Sequence, residues 1–452
     1  MKKKDRIKIL VGTTEVAGYY TYLSEGFREL GYICDYALLY DHPFKYGGEI
    51  KISLLLLINK LRERKTKANS LAAKIFYLLL QELIKIFWVA YSILKYDVYV
   101  FGFGTSLIYR NIDLPLLWAL RKRVISNLAH GSEARPPYID GSYQSKAGDI
   151  PKLQHIHRIT KSKKRKVHLH QKYASVLIGA PFSTSHFIER PFINTFAIGL
   201  PFLPKSKSTG SSLRAECSEG DGSRPIRILH SPSHPAAKGT PQIIQSIRNL
   251  QDKGYNIEFV LVHGRPNSEV LEEIARCDFV VDQIYSDTPM AGFATEAAWF
   301  GKPAVVGGYG LDRLRSFVPE GMWPPSLTCH PDGIERAIEF LITHPDVRIR
   351  LGKEAQRFVQ EKWSAVEVAR RYLRIIEGDI PDEWWFNPRQ ARYLEGFGLP
   401  VERTRKIIRA MVEEYGKESL QLNHRPDLLS AFLEFAGVNG QEHDSFKQRH
   451  ER

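Results

Sequence analysis

The sequence predicts an α/β protein in which two doubly wound domains face a cleft and a helical extension follows them. Three observations predict it. Short apolar runs alternate with helix-spaced segments before residue 204 and again after residue 225, as strands do when helices cover a parallel sheet. The stretch between, 204–225, is rich in Ser, Gly and Lys and has no periodicity, which marks a linker or exposed loop. At 452 residues the chain is long enough to bury two full cores. The expected organisation is a first domain over 1–203, a linker over 204–225, a second domain over 226–378 and a helical extension over 379–452.

The first apolar run, 7–11, reads as a strand ended by Gly12. Tyr20, Leu23, Phe27 and Leu30 then recur at helical spacing, with Gly31 as the stop. Residues 34–39 give the second strand. A long helical region follows, and within it 75–94 is almost wholly apolar. Lys74, Gln81, Glu82 and Lys85 fall roughly on one stripe of it, so the segment reads as an amphipathic helix and not as a membrane span. It is expected to pack inside the first domain, with lipid contact as the rival placement. Residues 97–101, 124–128 and 176–179 supply three more strands.

The pattern restarts after the linker with a strand over 226–229. Thr240 and Pro241 read as N-cap and first-turn residue of a helix whose buried side is Ile243, Ile244, Ile247 and Leu250. Strands over 257–262, 279–281 and 304–306 are separated by helices over 267–276 and around Glu296. Further helical patterns cover 333–342 and 348–376. In the extension, Trp384, Trp385 and Phe386 are expected to dock on the body, ahead of helices over 401–415 and 426–435.

The net charge of +14 is uneven. Residues 1–200 carry 31 Lys and Arg against 15 Asp and Glu, whereas 201–452 carry 33 against 35. The surplus gathers in 51–100 and 151–200, both of which also hold apolar or aromatic runs. That pairing suits peripheral contact with an anionic membrane. No fingerprint of a nucleic-acid-binding module is present, so nucleic acid is not an expected partner. Cys34, Cys217, Cys277 and Cys329 are scattered without a paired spacing, which argues for a reducing compartment and against a disulfide frame or zinc site. The first residues lack the apolar core of a signal peptide. The expected location is cytoplasmic, peripheral on the inner face of the cytoplasmic membrane.

The chemistry-bearing clusters fall where expected strands end. After residue 229 come His230, Ser231, Pro232, Ser233 and His234, then Lys238, Gly239 and Thr240. Lys238 beside a helix N-terminus suits a diphosphate; a solvated turn lysine is the plain alternative. Glu296 lies one turn into a helix start and can accept hydrogen bonds from a diol, or simply cap its helix. Diol and diphosphate together are the marks of a nucleotide sugar. In the first domain, the strand ending at residue 128 runs into His130, Gly131, Ser132, Glu133 and Arg135. Histidine can bond a hydroxyl and Arg135 an anion, while a Glu133–Arg135 loop ion pair is the bland reading. Gly18, in the loop after the first strand, would let backbone approach a ligand.

These motifs resemble the GT-B glycosyltransferases, specifically the family-4-like retaining enzymes of polysaccharide and glycolipid assembly, over roughly residues 7–375. The likeness is carried by the loop at Gly18, the His130–Gly131–Ser132 turn, residues 196–201, the Lys238–Gly239–Thr240 turn and the segment 292–303. It implies two Rossmann-like domains and transfer of a sugar from a nucleotide-sugar donor to a glycan or lipid-linked acceptor hydroxyl, with retention. It also implies that the chemical step rests on His130, Lys238 and Glu296. Donor contacts would come from Gly18, Ser231, Lys238, Gly239, Asp287, Thr288, Gly292, Phe293, Ala294 and Glu296, and acceptor contacts from Glu133 and Arg135. One departure stands out. The family shows two glutamates with seven residues between them, and the earlier position here is Thr288, with Asp287 beside it as a substitute. No Asp-x-Asp motif is present, so neither metal nor cofactor is expected. The rival readings are a degenerate, non-catalytic membrane adaptor and a nucleotide-sugar epimerase.

Overall fold

The computed structural model describes residues 7–39, 52–143, 152–203 and 224–438, and they form two sheets. The first sheet has the order β12-β6-β5-β4-β3-β1-β2. Its strands are β1 (Lys8–Thr13), β2 (Ile33–Leu38), β3 (Val98–Gly102), β4 (Arg123–Asn127), β5 (Val176–Gly179), β6 (Phe192–Asn194) and β12 (Trp385–Phe386). The second has the order β11-β10-β9-β7-β8, from β7 (Ile226–His230), β8 (Ile257–Leu261), β9 (Phe279–Gln283), β10 (Ala304–Gly307) and β11 (Leu327–Cys329). Every pairing is parallel except β12 with β6. These are the two doubly wound domains the alternating pattern predicts.

Each sheet reverses its winding once. In the first, β1 stands between β2 and β3; in the second, β7 stands between β8 and β9. Such a reversal opens a crevice beyond the carboxyl ends of the two central strands, because the flanking connections leave in opposite directions.

Helix α1 (Tyr19–Glu29) covers one face of the first sheet, packing Tyr20, Leu23 and Phe27 against Ile9, Val11 and Val100. The opposite face, lined by Leu10, Tyr99 and Phe101, carries α2 (Ser53–Lys67), α3 (Leu71–Lys95), α4 (Leu114–Ala119) and α5 (Leu153–Tyr173). The second sheet carries α6 (Thr240–Asp252), α7 (Asn267–Arg276), α8 (Gly292–Trp299), α9 (Ile334–Thr343) and α10 (Pro345–Lys362). Thr240 is not an N-cap: Gly239 holds that position in a left-handed conformation, and the Thr240 hydroxyl bonds His230 instead.

The expected single helix over 348–376 is two, broken at Trp363 and Ser364. The second, α11 (Ala365–Glu377), leaves its own domain and lies on α1 of the first. Gly26 permits the crossing, since a Cβ there would stand 2.2 Å from the Ala365 carbonyl oxygen. The Tyr19 and Tyr372 hydroxyls meet at 3.0 Å across it. Most of the expected linker lies outside the described residues.

Helix α3 reverses its expected packing. Only Gln81, Ile84, Trp88 and Ser92 are buried, one stripe at helical spacing. The apolar flank faces outward: Leu94 is 87% exposed, Leu71 74%, Ile86 66%, Leu79 65% and Phe76 61%. By length and composition this helix could also cross a membrane. On the same sheet face, Leu116 and Trp118 of α4 are exposed too.

The extension docks as expected through Trp384 and Phe386, which are buried, while Trp385 stays exposed. β12 closes the edge of the first sheet at β6. Helices α12 (Val401–Tyr415) and α13 (Pro426–Ala436) then pack on the first domain, with Phe432 against Tyr138 and Arg425 bonded to the Ser185 carbonyl.

Candidate active site

The two crevices open onto one cleft of about 330 Å³, continuous in its lining with a smaller pocket of about 280 Å³. Second-domain residues form one wall. β7 and β9 are direct neighbours, and the connections leaving them carry Lys238 and, on α8, Glu296.

Lys238 Nζ donates to Gln283 Oε1 at 2.5 Å and lies 3.7 Å from Asp282 Oδ1. Burial pushes the Asp282 carboxyl up, and Lys238 offsets this only in part. The turn itself is tightly packed. Gly239 has φ +74°, and a Cβ there would press on Ile284 at 2.9 Å. Behind it, His230 bonds the Val281 carbonyl at 2.7 Å and the Thr240 hydroxyl at 2.9 Å. Burial pulls its imidazole down to about 4, so it is a neutral strut.

Glu296 sits on α8, whose N-cap residue Ala291 supplies no side-chain cap. The first-turn amides therefore remain available to an anion. Asn267 Nδ2 donates to Glu296 Oε1 at 2.8 Å and fixes the carboxylate. Ser231, Arg265, Asn267 and Phe293 line the smaller pocket around it.

The facing wall belongs to the first domain. His130 follows β4; its Nε2 meets the Tyr20 hydroxyl at 2.7 Å and its amide donates to Glu133 Oε1 at 2.6 Å. Burial pulls the imidazole down to about 3, leaving it uncharged near neutrality. Burial also pushes the Glu133 carboxyl up to about 7, against the pull of backbone amides and Arg135. Lys163 supports the loop from behind by donating to the Arg135 carbonyl at 2.6 Å. Arg135 reaches across the cleft and pairs with Asp287 of the other domain. Burial opposes its charge, and Asp287, Asp140 and Glu133 together more than restore it.

The structure therefore brings His130, Arg135, Lys238, Asp287, Thr288, Gly292 and Glu296 onto one cleft, with Ser231 and Phe293 in the adjoining pocket. Four expected residues are not on its walls. Gly18 N-caps α1 while its neighbours Val16, Ala17 and Tyr19 line the cleft. Gly239 shapes the lysine turn, and Ala294 is core. Glu133 is buried behind His130, so it holds a loop and does not face an acceptor. Arg135 and Asp287, expected on acceptor and donor, bind each other.

Asn267, Gln283, Phe397 and Gly398 were not anticipated. A polar pair ending an otherwise apolar strand, Asp282 and Gln283, is the signal that could have found one of them. A carboxylate held by an amide, an ammonium beside a helix N-terminus and a neutral imidazole opposite can together hold a diol, a diphosphate and a hydroxyl-bearing group.

No family model matches the sequence, and no curated protein matches it. Solved structures similar to the chain include Anabaena HepE in complex with UDP-glucose, at 14% identity and TM-score 0.46, over 82% of this chain and 100% of that one. The catalytic domain of starch synthase IV from Arabidopsis thaliana, bound to ADP and acarbose, is 13% identical at TM-score 0.43, over 82% and 98%. The Streptomyces sp. SF2575 glycosyltransferase SsfS6 is 12% identical at TM-score 0.36, over 82% and 99%. Likenesses of this strength assign neither substrate nor activity.

Proposed function

We propose that the protein is a retaining glycosyltransferase of the family-4-like GT-B kind, moving a sugar from a nucleotide-sugar donor to a hydroxyl of a glycan or lipid-linked acceptor. One observation carries the reading. Lys238 and Glu296 leave adjacent central strands at the winding reversal of the second sheet, each locked by a neighbour, with His130 opposite them.

On this reading Glu296 accepts from the ribose hydroxyls, while Lys238 and the α8 amides stabilise the departing diphosphate. The neutral His130 bonds the transferred sugar, and the leaving phosphate takes the acceptor proton. No metal or cofactor is required, so a chelator leaves turnover unchanged. A thermal-shift screen of nucleoside diphosphates and nucleotide sugars tests the donor site, since a ligand of the folded state raises the melting temperature. A rise with one nucleotide, lost in Glu296→Ala, supports the site. No rise with any of them removes the reading and favours a non-catalytic adaptor. The anomeric configuration of the product, read by NMR, tests retention; a rearranged donor formed without acceptor indicates an epimerase.

The reading places the protein in the cytoplasm, on an anionic membrane. The outward apolar flank of α3 supports this, with Lys60, Arg62, Arg64 and Lys67 of α2 beside it and the basic α5 on the same sheet face. Co-sedimentation with vesicles containing anionic phospholipid should fall at least about tenfold in a Phe76→Asp/Phe87→Asp variant. Equal sedimentation of both proteins would remove the membrane assignment.

A further inference from the structure

The extension is bonded to both domains at the cleft, through one short stretch. On the first-domain side, the Phe397 amide donates to the Ile139 carbonyl at 2.9 Å, and the Gly141 amide donates to the Phe397 carbonyl at 2.7 Å. On the second-domain side, the Gly398 amide donates to the Tyr285 carbonyl at 3.0 Å and the Val401 amide to the Tyr309 hydroxyl at 3.1 Å. Glu395 accepts from Arg313 at 2.5 Å.

The Arg135–Asp287 pair stands beside these bonds and spans the same gap. The Phe397 ring lies under the Arg135 guanidinium at 4.4 Å and is backed by Tyr393, stacked at 4.4 Å. Phe397 is 1% exposed, yet it and Gly398 line the cleft.

A guanidinium is a planar fork, so a ring on its face fixes the plane in which the fork points. Each of these bonds is weak alone. They share one backbone stretch, so the domains cannot part without breaking its bonds to one side, and the Arg135–Asp287 pair, which spans the gap, breaks with them.

We infer that residues 395–401 form an interdomain clamp, and that Phe397 is a positioning residue which holds Arg135 on Asp287 and so sets the separation of the cleft walls. The clamp does not depend on what the cleft binds. Its effect on turnover rests on the sugar-transfer reading above.

The test uses full-length Phe397→Ala and Phe397→Tyr without ligand, followed by hydrogen exchange and small-angle scattering. In Phe397→Ala, peptides covering 139–143, 285–288 and 396–401 should exchange about tenfold faster together, and the radius of gyration should rise. Phe397→Tyr keeps the ring and should match wild type. Faster exchange confined to 396–401, or an unchanged radius, overturns the clamp. Should Phe397→Ala fail to fold, Asp287→Asn serves: joint opening of the three peptides is expected, and an unchanged 139–143 overturns it.

With donor and acceptor supplied, Phe397→Ala should lower kcat about tenfold and raise donor hydrolysis relative to transfer, with nucleotide affinity within about threefold of wild type. Joint opening in Phe397→Ala, with no sugar transferred by the wild type either, keeps the clamp and removes the transferase reading.

Discussion

On the second-domain wall each working side chain is held from within that domain, Lys238 by Gln283 and Glu296 by Asn267. On the first-domain wall, His130 is held by Tyr20 of α1 in the same domain, whereas Arg135 is held by Asp287 of the opposite domain and Phe397 of the extension. The first arrangement survives any relative motion of the domains. The Arg135 contacts of the second exist only while the domains are together. On the proposed reading, such a cleft binds a donor whether open or closed and assembles the transfer geometry only when closed.

Four measurements break or sharpen this contrast. The largest effect should come from Glu296→Ala, which removes a charged acceptor and lowers donor-nucleotide affinity by about a hundredfold or more in calorimetric titration. An affinity within about threefold of wild type would empty the second-domain wall of its role. Lys238→Ala should weaken the same titration about tenfold, and it also strands the buried Asp282. His130→Ala should split the parameters, with kcat down about tenfold and donor affinity within about threefold. An equal fall in both would make the walls alike.

The smallest effect concerns Glu133, whose folded pKa of about 7 lies above its ordinary 4.5. The native state then binds the proton more tightly, so the associated stability is full below about pH 4.5 and is lost as pH rises through about 7. Glu133→Gln cannot ionise. Its melting temperature relative to wild type should climb by roughly 2–4 °C across that window. A constant difference would show that Glu133 does not titrate there.

The contrast also explains what the sequence disclosed. Strand 176–179 and helices 267–276 and 401–415 match their expected bounds, because each is a strong local period bounded by turn or cap residues. Lys238 and Glu296 were legible for the same reason: both sit at a strand end or helix start within one domain. The exchange between Arg135 and Asp287 was not, since 152 residues separate them. Nor was the entry of Phe397 into the cleft, because Gly396, Phe397, Gly398 and Pro400 read locally as an ordinary loop. Composition gave the apolar character of α3 but not its direction. Gln81 and Ser92 lie on the packed side while Lys74 and Glu82 are exposed, so the polar positions do not mark one solvent face.

The first sheet takes its edge strand from residues 385–386 and one covering helix from 365–377. During vectorial synthesis, the domain that emerges first is thus completed last, after the whole second domain has left the ribosome. Until then the outer edge of β6 and the α1 surface stay uncovered, as sites for mispairing or chaperone capture.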